Sequence, residues 1–234
     1  MQKTPFLGVL RVETPFERAP GDSANVESWN FPVKIKILKD STVHKVVDLS
    51  NDYPQDFIDG WVDLIQEFID EGAVAAITSC GFLSAIHPIL RKRFPGFPIG
   101  TSALLQIPIA NNLVELGKRV GIITFNENVL GKKHLNGVGV DYDVPIVGVE
   151  EGCSFYNLIR KCDPFNYEEH EKDVVAAAKK LVSQYDDIGG IILECANMGP
   201  YRLAVQKATN LPVWDIITLG DFVYDVGLAR SFNK

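Results

Sequence analysis

Residues 189–215, GGIILECANMGPYRLAVQKATNLPVWD, have a counterpart earlier in the chain at residues 72–101, GAVAAITSCGFLSAIHPILRKRFPGFPIGT. Both segments begin with an apolar run of the length expected for a buried strand, and the runs lead to Cys195 and Cys80. A helix-like stretch follows each cysteine. A second apolar stretch then begins at a proline, and the spacing from cysteine to proline is nearly the same in both segments. The two segments therefore predict the same strand–helix–strand unit, present twice.

The correspondence extends upstream of both segments. Residues 6–10 (FLGVL) and 119–123 (RVGII) are each predicted to form a strand, whose central glycine precedes Cys80 or Cys195 by nearly the same distance along the chain. A repeat of this length indicates two halves of one design, and open α/β sheets bind ligands at the carboxyl ends of their strands. We predict an α/β fold of two pseudo-symmetric lobes, each a mostly parallel sheet flanked by helices, with the active site in the cleft between them.

The lobes are expected to form one tightly joined unit, because no linker or low-complexity tract separates the halves. We assign residues 1–102 and 216–234 to the first lobe and residues 103–215 to the second. The C-terminal residues belong to the first lobe because residues 219–229 are predicted to form a helix that packs back on the first half. Residues 13–30, rich in Pro, Gly, Asp, Ser and Asn, predict a long loop, either a binding loop or lid, or a solvated connection.

Apolar periodicity and turn residues predict the other elements. Strands are predicted at residues 7–12, 33–38, 73–78, 120–124 and 145–149. Helices are predicted at residues 53–71, 104–116, 126–135 and 167–185, in addition to the C-terminal one. The first of these helices has apolar residues at helical spacing, and Gly72 is predicted to end it.

Composition excludes several classes of protein. Of the 234 residues, 46% are hydrophobic and 23% are charged, as in an ordinary globular domain. The formal charge is −7 without a basic tract, so nucleic acid is not an expected partner. The N-terminal apolar stretch is too short for a signal peptide and no run approaches a membrane span, so we expect a cytoplasmic protein. The cysteines lack CxxC pairing and are expected to be free thiols, at positions Cys80, Cys153, Cys162 and Cys195.

Cys80 and Cys195 carry the predicted chemistry. A single cysteine in an apolar strand is usually a small core residue. Here two cysteines occupy matched positions at strand ends, and a helix begins shortly after each. Backbone N–H groups in such a turn can bind an anion, and a helix N-terminus lowers the pKa of a thiol. One thiolate would remove a proton from carbon, and the opposite thiol would return a proton to the other face.

Other residues near the strand ends are predicted to be substrate contacts or to be structural. The predicted substrate contacts are Thr14, Ser79, Gly81, Phe82, Thr124, Ala196 and Asn197. His87 could polarise a nearby group but is more often structural in a helix. Glu194 is expected to point to the opposite side of its strand from Cys195. Cys153 and Cys162 have no metal-ligand spacing, and no metal site is predicted.

The segments TSCGFLSAIHP and LECANMGPY resemble the two cysteine motifs of the aspartate/glutamate racemase superfamily. LECANM is similar to the Cys-Ala-Gly-Met type of the hydantoin and allantoin racemase branch, and the resemblance extends from Gly8 to Asp215. Amino-acid racemases usually place a polar pair after the first cysteine, whereas this chain has Gly81 and Phe82. The resemblance implies a mechanism without a cofactor, with Cys80 and Cys195 in the catalytic positions.

These observations lead to the hypothesis of an isomerase. The chain is predicted to be a racemase or epimerase that inverts a carbon acid centre in a small substrate, such as a hydantoin or amino acid, without pyridoxal phosphate or metal. Two alternatives remain. One is a related cysteine-dependent isomerase or decarboxylase, similar to maleate isomerase or arylmalonate decarboxylase, and the other is a non-catalytic binding protein for small ligands. The expected partner is a small molecule, with neither nucleic acid nor membrane, and a homo-oligomer is left open.

Overall fold

The computed structural model describes residues 4–229, which form two parallel four-stranded sheets. The first sheet has the order β2-β1-β3-β4 and is built from Phe6–Val12 (β1), Val33–Leu38 (β2), Ala73–Thr78 (β3) and Ile99–Gly100 (β4). The second has the order β6-β5-β7-β8 and is built from Arg119–Thr124 (β5), Ile146–Gly148 (β6), Ile188–Leu193 (β7) and Val213–Trp214 (β8). The same strand order occurs in both halves, which confirms the predicted fold of two repeated α/β lobes.

Helices flank both sheets. They are Gln55–Glu71 (α1), His87–Arg93 (α2), Ile107–Leu113 (α3), Lys132–Gly137 (α4), Ser154–Lys161 (α5), Tyr167–Gln184 (α6), Arg202–Thr209 (α7) and Ile216–Gly227 (α8). Short 3-10 turns occur at Val26–Ser28, Gly81–Ile86, Ala103–Gln106 and Ala196–Tyr201, and a π turn occurs at His44–Asp48. No helix within residues 4–229 is long and apolar enough to cross a membrane. The cytoplasmic location stays a prediction.

Helix α1 shows how the sequence pattern produces the packing. Its buried face includes Trp61 and Phe68, which lie on one side of the helix because their spacing is close to two full helical turns. Gly72 ends the helix with a left-handed φ of 96°, as predicted. The Phe68 ring packs against β1 at Gly8, where an added Cβ would lie 2.6 Å from the ring. The helix can approach the strand this closely because Gly8 has no side chain.

The two lobes exchange their last helices. The segment after β4 contributes Leu104 and Ile107 to the core of the second sheet. The segment after β8 forms α8, which contributes Leu219 and Val223 to the core of the first sheet. Each sheet is therefore covered on one side by chain that follows the other sheet. The lobe boundaries stay a prediction. Residues 1–3 and 230–234, which were assigned to the first lobe, lie outside the described part of the chain.

Three differences from the predicted elements have local causes. The helix predicted at 126–135 is wrong over residues 126–131, because the Asn126 side chain accepts a hydrogen bond from the Asn128 N–H (3.0 Å) and holds a turn. Helix α3 is shorter than predicted and restarts after a 3-10 turn, with Pro108 in its first turn. Helix α5 was not predicted, and its N-cap acceptor is the sulfur of Cys153, which is not a usual capping residue.

Candidate active site

The structure brings Cys80 and Cys195 to one cavity between the lobes. Each cysteine follows the end of the third strand of its lobe, β3 or β7, and each caps the 3-10 turn that comes next. Because the strands in each sheet are parallel, their carboxyl ends lie at one edge, and these two edges face each other across the cavity. The cavity is narrow, with a volume of about 30 Å³. The catalytic roles of the two thiols stay a prediction.

Most of the cavity wall is apolar. The apolar lining residues are Val12, Phe16, Val43, Val47, Phe82, Phe125 and Ile159. The polar lining residues, besides the two cysteines, are Arg18, Ser79, Glu194 and Asn197. The site therefore presents a small number of polar atoms in apolar surroundings, as expected for a site that binds a small ligand.

Glu194 also lines this cavity, although it was not among the predicted site residues. Glu194 is 1% exposed. Its Oε2 accepts a hydrogen bond from Thr124 Oγ1 at 2.7 Å, whereas its Oε1 has no hydrogen-bond partner. Oε1 has room because Gly81 lacks a side chain, and an added Cβ there would lie 2.1 Å from Oε1. The sequence signal that could have identified Glu194 as a site residue is its position directly before Cys195.

Both thiols are weaker acids here than was predicted from the turns that follow them. Burial, followed by the charge of Glu194, raises the pKa of Cys80 to about 12, although the Phe82 N–H and Arg18 act in the opposite direction. Burial, again followed by Glu194, raises the pKa of Cys195 well above its ordinary value. The prediction of lowered thiol pKa values is wrong because the loss of solvation outweighs the backbone N–H groups. Burial also raises the pKa of Glu194 to about 7, against the hydrogen bond from Thr124.

Arg18 is a second site residue that was not predicted. Its Nη1 contacts both carboxylate oxygens of Asp22 at 3.1 Å, and its Nη2 donates to Thr14 Oγ1 at 2.8 Å. Its Nε is buried and has no partner. Asp22 is 1% exposed, so this part of the 13–30 loop is packed against the protein and is not a solvated connection. Its role as a binding loop stays a prediction. Loops lack the periodicity that would show from sequence which side chain points inward.

Asn197 connects the loop to the second thiol. Its Nδ2 donates to Asp22 Oδ2 at 2.6 Å, and its Oδ1 accepts from Cys195 Sγ at 3.7 Å. A chain of contacts therefore runs from Arg18 through Asp22 and Asn197 to Cys195. The loop of the first lobe thus holds the amide that faces the thiol of the second lobe.

The predicted substrate contacts separate into three groups. Lining the cavity are Ser79, Gly81, Phe82 and Asn197. Thr14 and Thr124 lie behind the lining, where they hold Arg18 and Glu194. Ala196 does not line the cavity, because its side chain packs into the core that contains Leu7.

The remaining predicted residues lie outside the cavity. His87 is buried, and burial, with a smaller effect of Arg91, lowers its pKa to about 4. Cys153 caps α5, and Cys162 is exposed just after the same helix. Residues 4–229 contain no group of three or more His, Cys, Asp or Glu side chains arranged to hold a metal ion. Activity without metal or cofactor stays a prediction.

An ion pair joins the lobes beside the cavity. Arg160 of α5 donates to both carboxylate oxygens of Asp48, at 2.7 and 3.0 Å. The residues directly before them, Ile159 and Val47, line the cavity. Lys133 adds a hydrogen bond from its ammonium group to the Asn51 carbonyl oxygen. These contacts hold together the two walls of the cleft.

With this geometry established, the chain can be compared with known proteins. No protein-family model matches it. A dimethylsulfoniopropionate lyase of Durusdinium sp. clade D is 28% identical over 226 residues, 92% of this chain. Dimethylsulfoniopropionate lyases 7 and 6 of Emiliania huxleyi (strain CCMP1516) are each 28% identical over 225 residues, also 92% of this chain. The chain spans 73%, 64% and 57% of the length of these three relatives, respectively.

Solved structures show a similar fold. The Gly74Cys mutant of arylmalonate decarboxylase has a TM-score of 0.65 at 16% identity, covering 97% of this chain and 95% of that protein. Allantoin racemase from Klebsiella pneumoniae has a TM-score of 0.62 at 13% identity, covering 97% and 90%. Picrophilus torridus aspartate racemase has a TM-score of 0.55 at 11% identity, covering 95% and 94%. The chain therefore shares the two-lobed α/β fold of these three enzymes.

The comparisons correct the functional hypothesis. The prediction of a racemase or epimerase is wrong, because the curated relatives that match over 92% of the chain are dimethylsulfoniopropionate lyases. A specific likeness to the hydantoin and allantoin racemase branch is not confirmed, since the solved structures with this fold include a decarboxylase and an aspartate racemase as well as an allantoin racemase. Every protein named in these comparisons is an enzyme. They include lyases, a decarboxylase and racemases, so the isomerase class is not confirmed.

Proposed function

We propose that this chain is a lyase that splits dimethylsulfoniopropionate, or a close sulfonium carboxylate, into dimethyl sulfide and acrylate. The observation that carries the proposal is the likeness to dimethylsulfoniopropionate lyases over 92% of the chain. The cavity supports it, because two thiols lie there beside an unpartnered cationic donor and an unpartnered acidic oxygen. The proposal is compatible with the fold, since one fold supports different reactions through its site residues.

The reaction needs one base. A thiolate removes a proton from the carbon next to the carboxylate, and the electron pair of that C–H bond forms the carbon–carbon double bond. The bond from the neighbouring carbon to sulfur breaks, and dimethyl sulfide leaves as a neutral molecule with that bonding pair. The proton taken by the thiolate is later released to water. The leaving group needs no proton, so the second thiol has no obligatory acid–base role.

Cys80 is the proposed base. The charge of Glu194 acts to raise the pKa of both thiols; the positive charge of Arg18 opposes this effect at Cys80, whereas the negative charge of Asp22 adds to it at Cys195. Cys195 also donates its proton to Asn197 Oδ1, an arrangement that favours the thiol form. A sulfonium head entering the cavity would add a positive charge near Cys80 and so favour its thiolate.

Arg18 is the proposed carboxylate contact. Its two terminal nitrogens are already held by Asp22 and Thr14, and these contacts fix the direction of the guanidinium plane. The buried Nε lacks an acceptor, and Arg18 is one of the residues that line the cavity. A substrate carboxylate would supply that acceptor through a charge-assisted hydrogen bond. The same donor would stabilise the negative charge that develops as the proton is removed.

The test is product formation by the purified protein. Incubation with dimethylsulfoniopropionate is expected to give dimethyl sulfide, measured by gas chromatography, and an equal amount of acrylate, measured by NMR. A Cys80→Ala variant is expected to give neither above background. Folded wild-type protein that releases no dimethyl sulfide from this substrate would overturn the proposal.

A further inference from the structure

Two charged side chains line the cavity within the described part of the chain, and their electrostatic situations differ. Arg18 is paired with Asp22, so its charge is compensated. Glu194 is held by a neutral donor, the hydroxyl of Thr124, and its Oε1 has no partner. When Glu194 is ionised, the cavity therefore contains one uncompensated negative charge. A buried charge without a partner is unfavourable, so this position favours a cationic ligand group.

The other side-chain oxygens of the cavity indicate which kind of cation fits. Ser79 Oγ already accepts a hydrogen bond from the Val12 N–H at 3.0 Å. Asn197 Oδ1 already accepts from the thiol of Cys195. A primary ammonium has three N–H donors, and among the side-chain oxygens of this lining Glu194 Oε1 is the one that has no hydrogen bond already. A fully alkylated onium group has no donors to satisfy and needs only a negative charge and apolar or aromatic surroundings.

Aromatic side chains provide those surroundings. Phe16, Phe82 and Phe125 line the same cavity as Glu194. The edge-to-face contact of Phe82 with His134 and the stacking of Phe125 on Tyr156 hold these rings in place. Aromatic rings attract alkylated cations through the negative charge of their faces, and they do so without hydrogen bonds.

We propose that Glu194 and the surrounding phenylalanines form a subsite for the onium head of the substrate, an inference that rests on the proposed lyase function. Glu194 is thus the residue that selects a zwitterion with a fully alkylated cationic end. Arg18 Nε and Glu194 Oε1 serve the two ends of the same ligand. Gly81 belongs to the subsite as well, because its missing side chain leaves the space that Oε1 occupies.

The subsite has a kinetic signature. The positive charge of the sulfonium disappears as the carbon–sulfur bond breaks, so Glu194 binds the substrate more strongly than the departing neutral sulfide. Its loss should therefore raise KM more than it lowers kcat. A residue that carried protons for the thiols would show the reverse pattern.

The experiment compares two unreactive ligands by calorimetry. One is trimethylammonio-propanoate, and the other is its neutral carbon isostere, in which a tert-butyl group replaces the trimethylammonium group. Wild-type protein is expected to prefer the cationic ligand by about tenfold or more. Glu194→Gln, which has nearly the same shape, is expected to lose that preference, and Glu194→Asp to retain part of it. Glu151→Gln, at an exposed position outside the cavity, is the matched control and should bind like wild type.

Each outcome decides a separate question. Equal affinity of the wild type for the two ligands overturns the onium subsite, even if the variants fail to fold. A Glu194→Gln protein that keeps the preference but loses kcat also overturns it, and assigns Glu194 to proton transfer. Wild-type protein that prefers the cation but does not cleave dimethylsulfoniopropionate supports the subsite and removes the lyase. Cleavage without the preference supports the lyase alone.

Discussion

The two strand ends that carry the cysteines have the same backbone but different chemistry. Ser79 precedes Cys80 and accepts a hydrogen bond from the end of β1, at the Val12 N–H. Glu194 precedes Cys195 and accepts one from the end of β5, at Thr124 Oγ1. The backbones match as well, since the N–H groups of Ser79 and Glu194 each donate to the neighbouring central strand at 2.9 Å. One lobe places a small neutral hydroxyl beside its thiol, and the other places a carboxylate.

This difference shows that a repeated fold does not imply two equivalent catalytic groups. A reaction that inverts a carbon centre uses an acid and a base on opposite faces, whereas an elimination uses one base. Glu194 acts on both thiols, but Arg18 opposes its effect at Cys80 and Asp22 adds to it at Cys195, so the two thiols differ in the direction that a one-base reaction needs. The predictions below test that separation.

The largest expected effect is on the two thiols themselves. Cys80→Ala should reduce kcat/KM for dimethyl sulfide release by about 10²–10⁴-fold, because the general base is lost. Cys195→Ala should reduce it by about tenfold or less, since no step requires its proton. The control is Cys162→Asn, at an exposed position whose left-handed φ of 58° suits asparagine. Equal losses in the two cavity variants would show that the thiols act as a pair.

The next effect is on stability as a function of pH and arises from Glu194. Its pKa rises from 4.5 to about 7 on folding because of burial, so the folded state holds this proton more tightly than the unfolded state. Its contribution to stability is therefore complete below about pH 4.5 and lost as the pH rises toward 7. The free energy of unfolding should fall by an amount on the order of 3 kcal/mol, since each unit of pKa difference corresponds to about 1.4 kcal/mol.

Urea unfolding between these pH values measures this contribution. The wild-type free energy of unfolding should fall relative to that of Glu194→Gln, which has no proton to lose at this position. Parallel curves for the two proteins would contradict the raised pKa. The equivalent variant of the first lobe, Ser79→Ala, should leave the pH dependence unchanged.

A smaller effect is expected at the residues that follow the cysteines. Gly81→Ala would place Cβ 2.1 Å from Glu194 Oε1 and 2.4 Å from the Glu194 carbonyl oxygen, so the backbone must move. It should lower the free energy of unfolding by about 1–3 kcal/mol and also lower kcat/KM. Ala196→Gly, at the equivalent position, should cost about 1 kcal/mol and leave the affinity for the onium ligand unchanged. Denaturant titration measures the two stabilities, and calorimetry measures the affinities for the onium ligand. A larger loss in Ala196→Gly than in Gly81→Ala would contradict the prediction.

The smallest effect on stability is expected at the ion pair between Asp48 and Arg160. Because both side chains are partly exposed, Arg160→Met should change the free energy of unfolding by about 1 kcal/mol or less. It should nevertheless speed alkylation of Cys80 by iodoacetamide, since the adjacent cavity wall is released. Exposed Cys162 is the internal control, and its rate should not change. Mass spectrometry of the labelled peptides gives both rates, and an unchanged Cys80 rate would remove this contact from cleft closure.

The sequence was most informative where a residue's place follows from the repeat. Matched apolar runs predicted the strands and placed Cys80 and Cys195 at equivalent strand ends. The structure places both cysteines at one cavity. Glu194 was missed as a cavity residue because strand alternation alone does not show which side chains reach the cleft, and Arg18 was missed because its loop has no periodic pattern. The thiol pKa values depend on how completely the cleft closes, which local sequence does not determine. The reaction was mistaken because this fold is shared by enzymes with different chemistries.

The exchange of helices between the lobes has a mechanical consequence. The chain passes from one lobe to the other twice, once before Leu104 and once before α8. Two covalent crossings restrict the relative motion of the lobes to rotation about the line that joins them. A ligand can therefore enter by a small hinge motion that parts Val47 from Ile159, while the cores around the two sheets stay intact. Neither sheet can lose its covering helix without disturbing the other, so heat or denaturant should unfold both lobes in a single transition.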